Sequence, residues 1–156
     1  MTALVIGIGH PDRGDDAVGP FVVSALDHAD LPGLSTLCLQ GDPADLMAAW
    51  EGRREVVVVD ACSSGAPSGT VHRFNAVQEP LPADFGAVST HGFGLAAAVE
   101  LARAMGNLPA SLTVYGIEAS DFEPGAPLSP EVESAGRAVA AEIAHTIKEE
   151  TCTKQD

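Results

Sequence analysis

Three side chains combine a type and a placement suited to holding a divalent metal: Asp16, Asp60 and His91. Asp16 closes the glycine-rich stretch GIGHPDRGDDAVG (Gly7 to Gly19), which follows the apolar run Ala3-Leu4-Val5-Ile6. Asp60 ends a run of four valines, Val56 to Val59, and His91 sits in Ser89-Thr90-His91-Gly92, where a long loop gives way to a helical pattern. Two carboxylates and an imidazole are sound ligands for a divalent transition metal such as nickel, zinc, copper or iron. Three protein ligands leave positions open for water or substrate. Each residue also has a plainer reading. Asp16 fits a helix N-cap, Asp60 an acceptor for the backbone of a neighbouring loop, and His91 a cap or a surface residue.

Other chemistries fit less well. The glycine loop carries Asp12, Asp15 and Asp16 against the single Arg13, so it repels phosphate. Gly7 and Gly9 are followed by Gly14, two residues too late for GxGxxG, and no GxxxxGK[ST] occurs, which excludes a P-loop. No GxSxG elbow is present, so Ser63, Ser64 and Ser68 are poor nucleophiles. Cys62, two residues after Asp60, admits a Cys–His nucleophile with His91, or a small buried core cysteine. His10 fits a further ligand or an orienting group, while His28, His72 and His145 fall on helix or strand surfaces and receive no role.

These residues need elements to position them. Thr2–Ile8, Leu34–Leu39, Glu55–Asp60, Thr70–Phe74 and Ser111–Ile117 read as strands. Asp16–Leu26 reads as a helix with Val18, Val22, Ala25 and Leu26 on one face. Asp42-Pro43 opens a second helix to about Trp50, with an N-cap acid followed by proline in the first turn. Gly92–Arg103 forms a third. Ser129-Pro130-Glu131 caps a last helix that runs to about Glu149, with Val132, Ala135, Val139, Ile143 and Ile147 as its stripe. The expected fold is α/β in three layers: a twisted, mostly parallel sheet of about five strands with helices on both faces. One domain is expected over 1–150, with a frayed tail at 151–156. In such sheets ligands sit beyond the carboxyl ends of the strands, at a switch in strand order. If the first and third strands are neighbours there, Asp16 and Asp60 share one crevice.

The composition bounds the partners. The chain has 156 residues, 46% of them hydrophobic and 19% charged, enough for one globular core. Its 8 basic residues face 22 acidic ones, a net charge of −14, which argues against nucleic acid or an anionic membrane as partner and suits a cation. No apolar run reaches the roughly 20 residues of a membrane span, and Met1-Thr2-Ala3 lacks a basic leader. Cys38, Cys62 and Cys152 are odd in number and without CxxC spacing, as in a reducing cytoplasm, where the protein is expected as a monomer.

The stretches VIGIGHPDRGDDAVGP (Val5 to Pro20), VVVVDA (Val56 to Ala61), STHGFGL (Ser89 to Leu95) and LTVYGIEASDFEPGAPLSPEV (Leu112 to Val132) resemble, in this order, the nickel-iron hydrogenase maturation endopeptidases. The resemblance implies a twisted sheet between helices. It also implies removal of a C-terminal peptide from the hydrogenase large-subunit precursor after nickel insertion, with the nickel supplied by that precursor. The family's metal-contacting acid, aspartate and histidine fall on Asp16, Asp60 and His91, which makes the trio the candidate catalytic and metal-binding set. On this reading the first loop is acidic because it meets a cation. The chain departs from the common pattern at His10, usually Asn, at Asp16, often Glu, and at Gly41-Asp42-Pro43, often a paired-glycine turn. The rival readings are a metallohydrolase with its own bound metal, a non-catalytic nickel-checkpoint module, and a relative that cuts a different protein.

Overall fold

The computed structural model describes residues 3–82 and 92–153. Five strands, β1 (Ala3–Ile8), β2 (Leu34–Leu39), β3 (Glu55–Cys62), β4 (Val71–Asn75) and β5 (Ser111–Glu118), form one sheet in the order β2-β1-β3-β5-β4. All neighbours run parallel except β4, which pairs antiparallel with β5 at the edge. Helices α1 (Val18–His28) and α4 (Pro130–Thr153) cover one face, and α2 (Pro43–Trp50) and α3 (Gly92–Met105) cover the other. This is the three-layer α/β/α arrangement expected from the alternating pattern.

Side-chain alternation divides the core in two. Leu4, Ile6, Val56, Val58, Leu112 and Val114 point to the α2 and α3 side, where Leu46, Trp50, Leu95 and Val99 meet them. Val5, Val59, Tyr115 and Ile117 point to the opposite side, against Val18 and Val22 of α1 and Val139 and Ile143 of α4. Covered on both faces, β1 is buried at all six positions, as a central parallel strand must be. The N-terminus of α2 forms as its sequence dictates: the Asp42 carboxylate accepts from Ala44 N at 2.9 Å, with Pro43 in the first turn.

Among the boundaries that differ from the sequence reading, three have a clear physical reason or consequence. Strand β3 continues past Asp60 to Cys62 because β5 pairs with it throughout, Asp60 opposite Gly116 and Cys62 opposite Glu118. The first helix does not begin at Asp16. Gly14–Ala17 forms a 3-10 turn, and the α-helix starts at Val18. The tail expected to fray from Thr151 is helical to Thr153. There the Thr151 and Thr153 hydroxyls donate to the carbonyls of Ile147 and Glu149, one turn back.

Helix α1 lies unusually close to β1. A Cβ on Gly7 would sit 2.4 Å from the Gly19 carbonyl oxygen, and one on Gly19 would sit 2.4 Å from that of Ile8. Backbone meets backbone, so no side chain can swing aside. Gly19→Ala is therefore expected to push α1 off the sheet and cost about 1–3 kcal/mol, read as a lower urea midpoint. An unchanged midpoint would mean that this contact gives way freely.

Candidate active site

The strand order reverses direction between β1 and β3. The connection from β1 through α1 leads to β2 on one side, and the return through α2 to β3 crosses the opposite face. The loops that leave β1 and β3 therefore part at the carboxyl ends of two adjacent parallel strands, the place where sheets of this kind bind ligands.

The loop after β1 is built around its two consecutive aspartates. Gly9, at φ +143°, and Gly14, at φ +56°, hold backbone conformations that disfavour side chains, and a Cβ on Gly9 would fall 2.0 Å from the Asp16 carbonyl oxygen. Asp16 is 4% exposed, and its Oδ2 accepts the His10 backbone N–H at 3.0 Å. The turn that carries Asp16 packs against β3. Asp60, in β3, is fully buried, and strand alternation aims it to the α2 and α3 side with Val56 and Val58. The two carboxylates thus belong to the outlets of neighbouring strands. His91 lies outside the described residues. The helix that follows it directly in sequence, α3, starts beside the loop after β2: a Cβ on Gly94 would meet the Gly41 carbonyl oxygen at 1.9 Å.

The other acids of the loop do different work from the one expected. Asp15 is fully buried, and it accepts from Ser129 N at 2.7 Å, Ser129 Oγ at 2.6 Å, Asp121 N at 3.1 Å and Ser120 N at 3.2 Å. Burial by itself would raise its pKa, but the bonds from the Ser129 hydroxyl and from the backbone of Ser129, Asp121 and Ser120 outweigh burial and hold the carboxyl below its ordinary value. Asp15 therefore ties the first loop to the segment before α4. The Ser129 hydroxyl, expected to cap that helix, is committed to Asp15. Only part of the loop's acidity is left to meet a cation. His10 accepts the Asp12 N–H at its Nδ1, at 3.2 Å.

Sequence reasoning missed a second polar cluster on the same edge of the sheet. Glu118, the last residue of β5, is 1% exposed. It accepts from Ser64 N at 3.0 Å, from the Ser64 hydroxyl, from His72 Nε2 at 3.0 Å and from the Cys62 thiol at 3.6 Å. Burial opposes its ionisation, yet the Ser64 hydroxyl and backbone bonds and the neighbouring His72 hold its pKa below the usual range. His72, read as a plain surface residue, is a partner of this buried acid. Cys62 is pushed up to about 12, first by burial, then by the charge and hydrogen bond of Glu118 and by the charge of Asp60. Such a thiol holds almost no thiolate at neutral pH, so the structure argues against the cysteine-nucleophile reading.

The sequence profile of the hydrogenase maturation proteases matches residues 41–146. The hydrogenase 2 maturation protease of Escherichia coli (strain K12) is 32% identical over 139 residues, which cover 86% of this chain and 83% of that protein. The chain belongs to the hydrogenase maturation protease family. The solved [NiFe] hydrogenase maturation protease HybD from Thermococcus kodakarensis is 27% identical with a TM-score of 0.72, over 94% of this chain and 99% of its own. An endopeptidase from Escherichia coli, solved in solution, is 25% identical with a TM-score of 0.81, over 96% of this chain and 94% of its own. As a maturation protease the protein is a hydrolase, which sets aside the non-catalytic checkpoint module. The profile match takes in Asp60 and His91 but starts after the loop that carries Asp16. Among the described residues of this protease, no helix is long and apolar enough to cross a membrane.

Proposed function

We propose that this protease removes the C-terminal peptide of a nickel-iron hydrogenase large-subunit precursor after nickel insertion, and that Asp16, Asp60 and His91 recognise the precursor's nickel. The observation that carries this reading is the burial of two carboxylates at the outlets of adjacent parallel strands, where sheets of this kind bind ligands. Buried carboxylates are costly unless a cation or hydrogen bonds compensate them. A nickel ion held by the precursor's own ligands supplies that cation when it docks. Asp16 and Asp60 then offer oxygen ligands and His91 an imidazole nitrogen.

Docked in this way, the substrate's nickel acts as a template that sets the scissile peptide bond in register. A carboxylate released from the metal is placed to take a proton from the attacking water. Selectivity follows from charge: a chain of net charge −14 offers a nickel-free peptide little attraction at an acidic crevice. The exposed free thiols Cys38 and Cys152 suit a reducing compartment, and the reading places the reaction in the cytoplasm with a monomeric enzyme.

The test is the intact mass of a large-subunit precursor incubated with the protease, with and without nickel inserted. Loss of the C-terminal peptide is expected only in the nickel-loaded sample, and His91→Ala is expected to abolish it with an unchanged circular dichroism spectrum. Equal cleavage of both samples, with tightly bound metal in the purified protease, would favour a metallohydrolase with its own ion. Wild-type cleavage by His91→Ala would remove His91 from the site.

A further inference from the structure

We propose that Cys62, His72 and Glu118 form a second metal site, separate from the crevice, that binds a zinc-class divalent ion. Cys62 and Glu118 lie directly opposite one another on β3 and β5, and His72 stands on the next strand, β4, opposite Gly116. One ligand atom from each residue lies within 4.8 Å of the other two. The sulfur is 3.6 Å from Glu118 Oε1, and His72 Nε2 is 3.0 Å from the same oxygen. A tetrahedral ion with ordinary zinc bond lengths holds such sulfur–oxygen and nitrogen–oxygen pairs about 3.5 Å and 3.3 Å apart. Two sides of the ligand triangle therefore already stand within a few tenths of an ångström of these values, and the third, sulfur to nitrogen, is no longer than 4.8 Å.

The donor set selects the ion. Thiolate, imidazole and carboxylate together favour zinc and similar borderline metals over magnesium or calcium, which take oxygen ligands. A thiolate and a carboxylate bring two negative charges against the two positive charges of the ion, so the occupied site is neutral in a buried setting. Binding releases the Cys62 thiol proton, and a neutral His72 shifts its ring proton to Nδ1 so that Nε2 can coordinate. A metal ion deprotonates a coordinating thiol outright, so the resting state of Cys62 is no barrier.

The surroundings meet the other requirements of a site. Ser64 fixes the Glu118 carboxylate through its backbone N–H and hydroxyl, as outer-shell partners of a ligand do. The His72 ring stacks on Phe74 at 6.3 Å between centroids. Its side chain is 32% exposed, while that of Glu118 is 2% exposed, which leaves an entry path and an open fourth position on the His72 side. Strand β4 is held in the sheet by β5 alone, and an ion here would fasten it to β3 as well. The site shares no residue with Asp16, Asp60 and His91, although Cys62 stands two positions from Asp60 on the same face of β3 and feels its charge.

The experiment is a titration of the full chain carrying Cys38→Ser and Cys152→Ser with cobalt(II), then with zinc. One equivalent of cobalt is expected to give a near-ultraviolet thiolate-to-cobalt band that zinc abolishes, and Asp60→Asn is expected to leave that band in place. Cys62→Ser is expected to remove the band. His72→Asn is expected to weaken zinc binding by about tenfold or more. No thiolate band in the doubly substituted protein, or a band that survives Cys62→Ser, would overturn the site.

Discussion

Asp60→Asn is expected to reduce cleavage of a nickel-loaded precursor by at least about a hundredfold while the protein stays folded. The substitution keeps the shape of the side chain and removes its charge. Asp60 is fully buried and paired with Gly116 of β5, one residue beyond the last β1 partner on β3, and an amide of equal size fits the same space. A neutral amide is a far poorer ligand for a divalent cation than a carboxylate, and it cannot take a proton from water. If Asp60 served the fold instead, the loss would show as a lower unfolding midpoint. The expected pattern is the opposite: activity lost, with the midpoint close to that of the wild type. Wild-type cleavage by Asp60→Asn, or a protein that no longer folds, would contradict the role assigned to it.

Asp15→Ala is expected to have the largest effect on stability, about 3–5 kcal/mol. The fully buried carboxylate accepts from three backbone N–H groups and one hydroxyl, and alanine leaves all four donors without that partner. Natural domains keep only about 5–15 kcal/mol in total, so this variant stands close to unfolding. The effect depends on pH with a definite sign. Its hydrogen bonds hold the carboxyl of Asp15 below the ordinary aspartate value in the folded state. Its stabilising contribution is thus complete above that value and drains away as the pH falls through the lower native one. The gap in unfolding free energy between wild type and Asp15→Ala is expected to be constant near neutrality and to shrink below about pH 4. A gap that does not change down to pH 2 would contradict the hydrogen-bonded carboxylate.

Asp15 and Asp16 show where the sequence could be read and where it could not. Strands β1 and β3 were visible as apolar runs, and α2 began where Asp42-Pro43 said it would. The adjacency of β1 and β3, a condition in the sequence reading for Asp16 and Asp60 to share a crevice, is observed. The division of labour between two adjacent aspartates was not visible. A 3-10 turn rotates successive residues by about 120°. That rotation sends Asp15 toward Ser120, Asp121 and Ser129, and leaves Asp16 to receive the His10 N–H.

Glu118 was missed for a related reason. A glutamate at the end of a strand and beside a turn-rich acidic segment reads as solvated. Its burial depends on residues far away in the chain: Ser64 beyond β3, and His72 on a strand that pairs antiparallel with β5. No local period reports such contacts. The one usable signal was that His72 shares a face of β4 with the core residue Phe74, two positions on.

The most direct measurement of the central claim is nickel-edge X-ray absorption on a nickel-loaded precursor, altered at its scissile bond so that the complex persists. Spectra of the precursor alone and of its complex with the protease report the ligand shell of the metal. The expected result is a gain of nitrogen and oxygen scatterers on complex formation, with the nitrogen contribution lost in the complex with His91→Ala. A nickel shell that is identical in the free and bound precursor would contradict recognition of the metal by Asp16, Asp60 and His91.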